Sequence, residues 1–244
     1  MSFTSDLSID ELLLIEEVGF EPIELCMGSS YFHIGWQRSA WSQNMELGNV
    51  SQLMLSARMY AIGRMVQQAE AFGADGIVSM QVDMVRHGHH AEFTAIGTAV
   101  RRRDGQGAAW RVGGHPFTCD LSGEDFWGLL RGGFRPVNLA HGVCVYHVAY
   151  QGLGAWFKQI GQNVEQQQYT QALYDARELA MERMQGEAAR LGAHGVVGVE
   201  VREGSHGWES HVVEYVAVGT GVAPIVDPTH EVHQPPKLVM FAQD

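Results

Sequence analysis

Histidine is the residue type in this chain that is best suited to bind a metal ion. The sequence contains twelve histidines, and neutral imidazole is the commonest protein ligand for zinc, copper and nickel. Several of them recur at corresponding places in two similar halves of the chain. These pairs are His33 with His147, His87 with His206, and His89 with His211. The pattern predicts, as one alternative, a site for a divalent transition metal (zinc, nickel or copper) built from these six histidines.

A structural role for the same histidines remains the competing interpretation. A His-x-His pair on a turn, such as His87 and His89, does not by itself give the tetrahedral arrangement that zinc requires. His33 and His147 lie among aromatic residues on segments that we predict to be strands, which is typical of histidines hydrogen-bonded within a sheet.

Motifs of the common enzyme classes are absent from the sequence. There is no phosphate-binding Gly-x-x-x-x-Gly-Lys-Ser/Thr loop, no His-Glu-x-x-His and no Gly-x-Ser-x-Gly. Cys144 lies close to His147 in sequence, but residues three apart on a strand point to opposite faces and do not meet. We therefore predict no catalytic residues and a protein that is not an enzyme, with an unrecognised active site as a further alternative.

Composition restricts the partners and the compartment. The formal charge of −12 argues against binding to a nucleic-acid backbone, which requires an excess of Lys and Arg. The three cysteines are isolated, so neither a disulfide framework nor a cysteine zinc site is expected. No apolar run approaches the roughly 20 residues of a membrane span, and the first ten residues lack the basic start of a secretory signal. These features predict a cytoplasmic protein with no membrane span.

The elements that must position the histidines occur twice. Each half opens with a helix cap, Ser8 before Glu11 and Ser122 before Asp125. A short helix, a strand, a long helix with an apolar stripe, and a two-stranded hairpin follow in each. The glycines Gly73 and Gly192 are placed where a helix C-terminal glycine belongs.

A repeated unit of this length indicates a duplicated domain, because solenoid repeats run to only about 20–50 residues. We predict a first repeat over residues 1–104, a linker over 105–120, a second repeat over 121–223 and a Pro-rich tail over 224–244. The tail carries the apolar run Leu238-Val239-Met240-Phe241. Such a run at the end of an irregular segment is either frayed or docked, and we include a protein partner that docks the tail among the expected contacts.

Most of each repeat, apart from the opening helix, resembles a known bacterial family. The residues that carry the resemblance are Ala-Arg-x-x-Ala-x-x-x-Met, starting at Ala57 and at Ala176, followed by Phe72-Gly73-Ala74 or Leu191-Gly192-Ala193, an alternating strand, and a strand containing Gly-Thr. This order is similar to that of the YbjQ family of heavy-metal-binding domains. One departure is His194, which stands where the first repeat has the acidic Asp75.

The resemblance implies an α+β fold made of two tandem β-α-β-β units of the YbjQ/dodecin type. In each unit an antiparallel sheet packs on one long helix, and a short capped helix precedes it. The resemblance also implies assembly into a closed homo-oligomeric ring, since a three-stranded sheet with one helix leaves edges and a face uncovered. We therefore predict a non-enzymatic, ring-forming scaffold or binding module, with heavy-metal binding through the histidines as the alternative.

Overall fold

The structure is a computed structural model that describes residues 4–34, 43–149, 167–205 and 212–225. The first repeat contains α1 (Ile9–Glu17), β1 (Phe20–His33), β2 (Met45–Glu46), α2 (Gly48–Ala71), β3 (Gly76–His87) and β4 (His90–Arg102). A 3-10 turn (Gly107–Ala109) and β5 (Phe117–Thr118) lie between the repeats. The second repeat contains α3 (Gly123–Arg131), β6 (Phe134–His147), α4 (Gln167–Arg190), β7 (Gly195–Ser205) and β8 (Val212–Pro224).

Two four-stranded sheets are present among these residues. Sheet 1 has the strand order β1-β4-β3-β5, and sheet 2 has the order β2-β6-β8-β7. The long strands pair antiparallel, whereas β5 pairs parallel to β3. The α+β class and the duplicated β-α-β-β unit are therefore confirmed.

Each sheet also contains a short strand from outside its own unit. Strand β2 comes from the first repeat and pairs with β6 of the second, and β5 follows the first repeat and pairs with β3. Two-residue strands have no periodicity that the sequence could reveal. The two repeats are consequently joined by backbone hydrogen bonds as well as by side chains.

The layers follow the order sheet 1, α2, sheet 2, α4. Helix α2 packs on β1 and β4 with one side and on β6 with another, while α4 packs on the opposite face of sheet 2. One apolar cluster therefore includes residues of both repeats, among them Met54 of α2 and Val143 and Val216 of sheet 2. Among the described residues, no further layer packs on sheet 1 around Met27 and Tyr31 or on the side of α4 that points away from sheet 2.

Both helix caps form as the sequence predicts. The Ser8 hydroxyl accepts a hydrogen bond from the Glu11 N–H, and the Glu11 carboxylate accepts one from the Ser8 N–H, which completes a capping box. The Ser122 hydroxyl accepts from the Asp125 N–H at 3.1 Å. The two short helices also contact each other, because Glu11 Oε1 accepts from the Gly123 N–H at 2.9 Å.

Close packing of each long helix on its sheet depends on one glycine. A Cβ atom at Gly28 would overlap the Ala61 carbonyl oxygen of α2, and one at Gly142 would overlap the Ala180 carbonyl oxygen of α4. The two contacts occupy corresponding positions in the repeats. The alanine stripe of each helix can therefore approach the sheet backbone at that point.

The segment between the repeats is packed against the fold. Phe117 and Cys119 are fully buried in an aromatic cluster with Phe20 and Phe126. Asp75, which ends the turn after α2, binds Arg111 of this segment through an ion pair of 3.1 Å.

None of the helices in the described residues has the length and apolar composition of a membrane span.

Candidate functional site

The contact between the repeats buries several polar and charged side chains. On α2, Ser51 and Arg58 are buried beneath sheet 2. The Ser51 hydroxyl accepts a hydrogen bond of 2.8 Å from the Val145 N–H of β6. The Arg58 guanidinium lies 3.9 Å from the Glu214 carboxylate of β8, with both side chains almost inaccessible to water.

Burial controls the ionisation of this pair. It lowers the pKa of Arg58, although Glu214 opposes the shift, and it raises the pKa of Glu214 against the opposing effect of Arg58. The Arg58 guanidinium also lies 5.2 Å from the centre of the Phe93 ring. Loss of one partner of such a buried pair costs about 3–5 kcal/mol, because the other charge is left without compensation.

His141 adds a buried titratable group to the same contact. Burial, assisted by the nearby Arg58 charge, lowers the pKa of His141 to about 4. Its Nδ1 lies 3.2 Å from Glu187 Oε2, yet burial also raises the pKa of Glu187. Because both groups are shifted towards their neutral forms, this contact is not a stable ion pair. The Glu187 carboxyl instead accepts a hydrogen bond of 2.7 Å from the main-chain N–H of His141.

A cavity of about 390 Å³ adjoins this polar cluster between α2, β3 and sheet 2. Arg58, His141, Asp120 and Arg202 contribute its polar walls. Burial raises the pKa of Asp120, whose N–H donates a hydrogen bond of 3.1 Å to the Thr220 hydroxyl. The cavity thus combines cationic and acidic groups and does not select ligands of one charge.

Corresponding positions of the two repeats differ sharply in exposure. His141 and Val145 of sheet 2 are 4% and 0% exposed, whereas Met27 and Tyr31, their counterparts in sheet 1, are 50% and 58% exposed. The same contrast separates Arg58 of α2, which is buried, from its counterpart Arg177 of α4, which is exposed. His141, Val145 and Arg58, which the inter-repeat contact buries, therefore have exposed counterparts elsewhere on the chain.

The first-repeat histidines that the sequence singled out lie together. His33, His87 and His89 are exposed at the end of the β3–β4 hairpin, and the neighbouring His90 is half-buried. The His33 ring centre lies 4.9 Å from that of His90 and 6.5 Å from that of His89, and Tyr31 stacks on His90 at 5.2 Å. His87 Nε2 lies 3.6 Å from Glu92.

The second-repeat histidines are less gathered. His147 is buried, with Nδ1 3.4 Å from the Gln43 carbonyl oxygen, and His206 and His211 lie outside the described residues. In the part of the chain that the structure describes, no group of three or more His, Cys, Asp or Glu side chains is arranged to hold a metal ion. The six-histidine metal site stays a prediction.

The residues at the core of the inter-repeat contact were not singled out by the sequence. Arg58, Glu214 and His141 carry no recognised motif. One signal was available: the arginine recurs as Arg177 and the glutamate as Glu92 at corresponding positions of the repeats. A charge retained in both copies on a mostly apolar helix stripe indicates a partner, and only the fold identifies it.

The layered duplicate fold agrees with the comparison with known families. A family model, YbjQ_1, described as "Putative heavy-metal-binding", matches residues 44–103 and 142–224. These two segments cover most of both repeats. The chain belongs to this family.

The chain is also similar to individual proteins. It is 49% identical over 224 residues to the encapsulin nanocompartment protein Rv1762c of Mycobacterium tuberculosis, covering 91% of this chain and 86% of that protein. It is 42% identical over 59 residues to a UPF0145 protein of Halorubrum lacusprofundi, or 24% of this chain and 57% of that protein. A UPF0145 protein of Clostridioides difficile is 38% identical over 77 residues, or 30% of this chain and 68% of that protein.

Proposed function

We propose that this protein is a non-enzymatic scaffold or binding module whose copies assemble head to tail into a closed homo-oligomeric ring. The observation that carries the proposal is the contrast in exposure between corresponding residues of the repeats. The outer side of α4 corresponds to the side of α2 that packs on sheet 2. The open face of sheet 1 corresponds to the face of sheet 2 that receives α2. In the ring, α4 of one copy therefore packs on sheet 1 of the next.

Apolar and charged groups on the two open surfaces support this packing. Met27, Tyr31 and Val85 are exposed on sheet 1, and Tyr174 is exposed on α4. By correspondence with Arg58 and Glu214, Arg177 of one copy pairs with Glu92 of the next. A contact that uses different surfaces on its two sides generates either a ring or an open filament. A ring leaves no surface of this kind uncovered.

Charge reversal tests the proposed contact. Native mass spectrometry should show the wild type as a closed multiple of the 26.9 kDa chain. Arg177→Glu and Glu92→Arg should each shift the protein towards the single chain. The control is Glu124→Arg, because Glu124 and its counterpart Asp10 are exposed in both repeats.

Mixing the two reversal variants gives a stricter outcome. Every contact between unlike copies then brings opposite charges together, whereas contacts between like copies do not. On mixing, closed assemblies with an even number of chains should reappear and contain equal numbers of the two variants. A wild type that remains a single chain at micromolar concentration would refute the ring.

We further propose that the assembly works in the cytoplasm in association with a protein shell. One support is the 49% identical relative, which is an encapsulin nanocompartment protein. The other is the set of three free, buried cysteine thiols, which persist in a reducing compartment. The apolar run Leu238-Val239-Met240-Phe241 is the proposed docking segment. Co-expression with a shell protein of the same genome should give co-elution that disappears when residues 226–244, which follow the end of β8, are removed. Co-elution that survives the truncation would exclude the tail as the docking segment.

Metal binding is the second candidate function, favoured by the cluster of His33, His87, His89 and His90 at the hairpin end. The proposed ligands also include His147, His206 and His211 at corresponding places of the second repeat. Elemental analysis after dialysis should find stoichiometric zinc, nickel or copper that is lost from the double variant His87→Ala with His206→Ala. Metal-free protein with unchanged assembly would reject this function and leave the scaffold intact.

A further inference from the structure

The outer edge of β3 is covered by the segment that connects the repeats. Strand β5 pairs parallel to β3, with Gly76 opposite Phe117. The pairing continues past a bulge, where the Met80 N–H donates to the Cys119 carbonyl at 3.0 Å and the Ser79 N–H donates to the Leu121 carbonyl at 3.1 Å. Sheet 1 is thereby closed on this side.

A glycine makes room for the aromatic ring that this segment carries. A Cβ atom at Gly76 would overlap the ring of Phe117. Phe117 is fully buried there and meets the Phe20 and Phe126 rings at centre distances of 5.9 Å. Gly76 and Phe117 therefore form a specific ring-on-glycine contact between the end of one repeat and the start of the next.

Among the described residues, no strand pairs with the corresponding edge of the second repeat. Strand β7 is the edge strand of sheet 2, and Val197, Val199 and Val201 are exposed along it. Gly195 corresponds to Gly76, but a Cβ atom there would meet only Val222, at 4.0 Å. The surface that takes the Phe117 ring in the first repeat thus has an unfilled duplicate in the second.

The sequence contains a second copy of the segment that fills it. The run Phe3-Thr4-Ser5-Asp6-Leu7 corresponds to Phe117-Thr118-Cys119-Asp120-Leu121. The described parts of both runs make the same contact, since the Asp6 N–H donates to the Thr98 hydroxyl at 3.4 Å and the Asp120 N–H to the Thr220 hydroxyl at 3.1 Å. Each repeat therefore begins with this segment, and in the second repeat the segment reaches back to the preceding sheet edge.

We propose that Phe3 and Thr4 of one copy pair in parallel with β7 of the adjacent copy and that the Phe3 ring packs on Gly195. This inference rests on the proposed ring and gives it a second contact. This pairing has the same direction around the ring as the packing of α4 on sheet 1. The copy that receives α4 of its neighbour on its sheet 1 also covers β7 of that same neighbour with its N-terminal segment. Pairing along a sheet edge supplies main-chain hydrogen bonds, and the ring on the glycine fixes the register.

A cross-link tests the pairing directly. In the Phe3→Cys, Gly195→Cys double variant, diamide oxidation should join adjacent copies and give a ladder of covalent multiples on a non-reducing gel. Each single variant should give no product larger than a dimer. The native thiols Cys26, Cys119 and Cys144 are buried and can remain in place.

Gly195→Ala provides an independent test without new thiols. The added methyl group has room within the single chain, but it would overlap the Phe3 ring of the adjacent copy in the proposed pairing. The variant should fold normally and raise the concentration at which half of the rings dissociate by at least tenfold, equivalent to about 1.4 kcal/mol. Gly76→Ala is the matched control, because its methyl group meets Phe117 within the chain and should lower the thermal midpoint of the chain itself.

The outcomes separate this inference from the ring. Intact wild-type rings with no cross-link, or with normal assembly of Gly195→Ala, would overturn the strand pairing and leave the scaffold standing. A cross-link confined to single chains would also overturn it, because Phe3 would then cover the edge of its own chain. A cross-linked ladder that is unchanged by removal of residues 226–244 would exclude the apolar tail as the occupant. A wild type that never assembles would overturn both proposals.

Discussion

Replacing His141 by methionine should remove much of the acid sensitivity of the fold. His141 is buried between α2 and sheet 2, and burial lowers its pKa to about 4. Methionine suits the test because Met27 occupies the corresponding position of the first repeat. The substitution keeps a side chain of similar length and removes only the titratable imidazole.

The sign follows from proton binding in the two states. Below the usual histidine pKa of about 6.5 the unfolded chain binds a proton that the folded chain refuses, so the free energy of unfolding falls as the pH falls. The stability is fully present above pH 6.5 and is lost progressively towards pH 4. With about 1.4 kcal/mol for each pKa unit, the shift accounts for roughly 3 kcal/mol.

Neighbouring carboxyl groups act in the opposite direction. Burial raises the pKa values of Glu187, Glu214 and Asp120, so the folded chain binds their protons more readily and gains stability on acidification. The slope of the wild type alone therefore mixes opposing contributions. The difference between the wild type and His141→Met isolates the imidazole.

Denaturant unfolding from pH 7.5 to 4.5 at one chain concentration measures that difference. Relative to the wild type, His141→Met should gain about 2–3 kcal/mol of unfolding free energy across this range. His115→Met, which removes a histidine that is 69% exposed, controls for the loss of a surface imidazole. A difference that stays constant with pH would refute the reasoning, because His141 would then bind its proton as readily in the folded chain as in the unfolded chain.

Three further predictions concern the fold itself. Gly142→Ala should lower the free energy of unfolding by about 2 kcal/mol or more, as overpacked sites do, because the added Cβ would overlap the Ala180 carbonyl oxygen. Urea unfolding measures this loss, and Gly186→Ala, at a glycine with no close neighbours, is the control. Ser122→Ala should cost about 1 kcal/mol through loss of the helix cap, and an unchanged urea midpoint would contradict it. Burial raises the pKa of the three thiols, Cys26, Cys119 and Cys144, to about 12. An aromatic disulfide reagent at pH 8 should therefore react with none of them in the native protein and with all three after unfolding.

Local features were predictable from the sequence and long-range ones were not. The cap at Ser8, the glycine after α2 and the β3–β4 hairpin depend on residues close in sequence, and each was recognised. The pairing of Arg58 with Glu214 depends on how two layers stack, which no local pattern encodes. Strand β5 lies in the segment for which the sequence predicts a linker, because its two residues are too few to show alternation, although Phe117 is one of the most deeply buried side chains.

For the candidate site, too, the sequence indicated residue types and local patterns but not the contacts between distant residues. The sequence identified the histidines because their residue type suggests chemistry, and the structure gathers His33, His89 and His90 at one hairpin end. It did not indicate that Met27 and His141 occupy equivalent places with opposite exposure. That contrast appears only when both copies are compared within the folded chain.

The connection through β5 has a consequence for how the assembly responds to dilution. It holds the two repeats of one chain at an effective concentration in the millimolar range or above, so the α2–sheet 2 contact forms regardless of protein concentration. Only the contacts between chains obey mass action. A ring of fused pairs therefore dissociates to a chain that already contains one complete contact, and half as many encounters between molecules are needed to rebuild it.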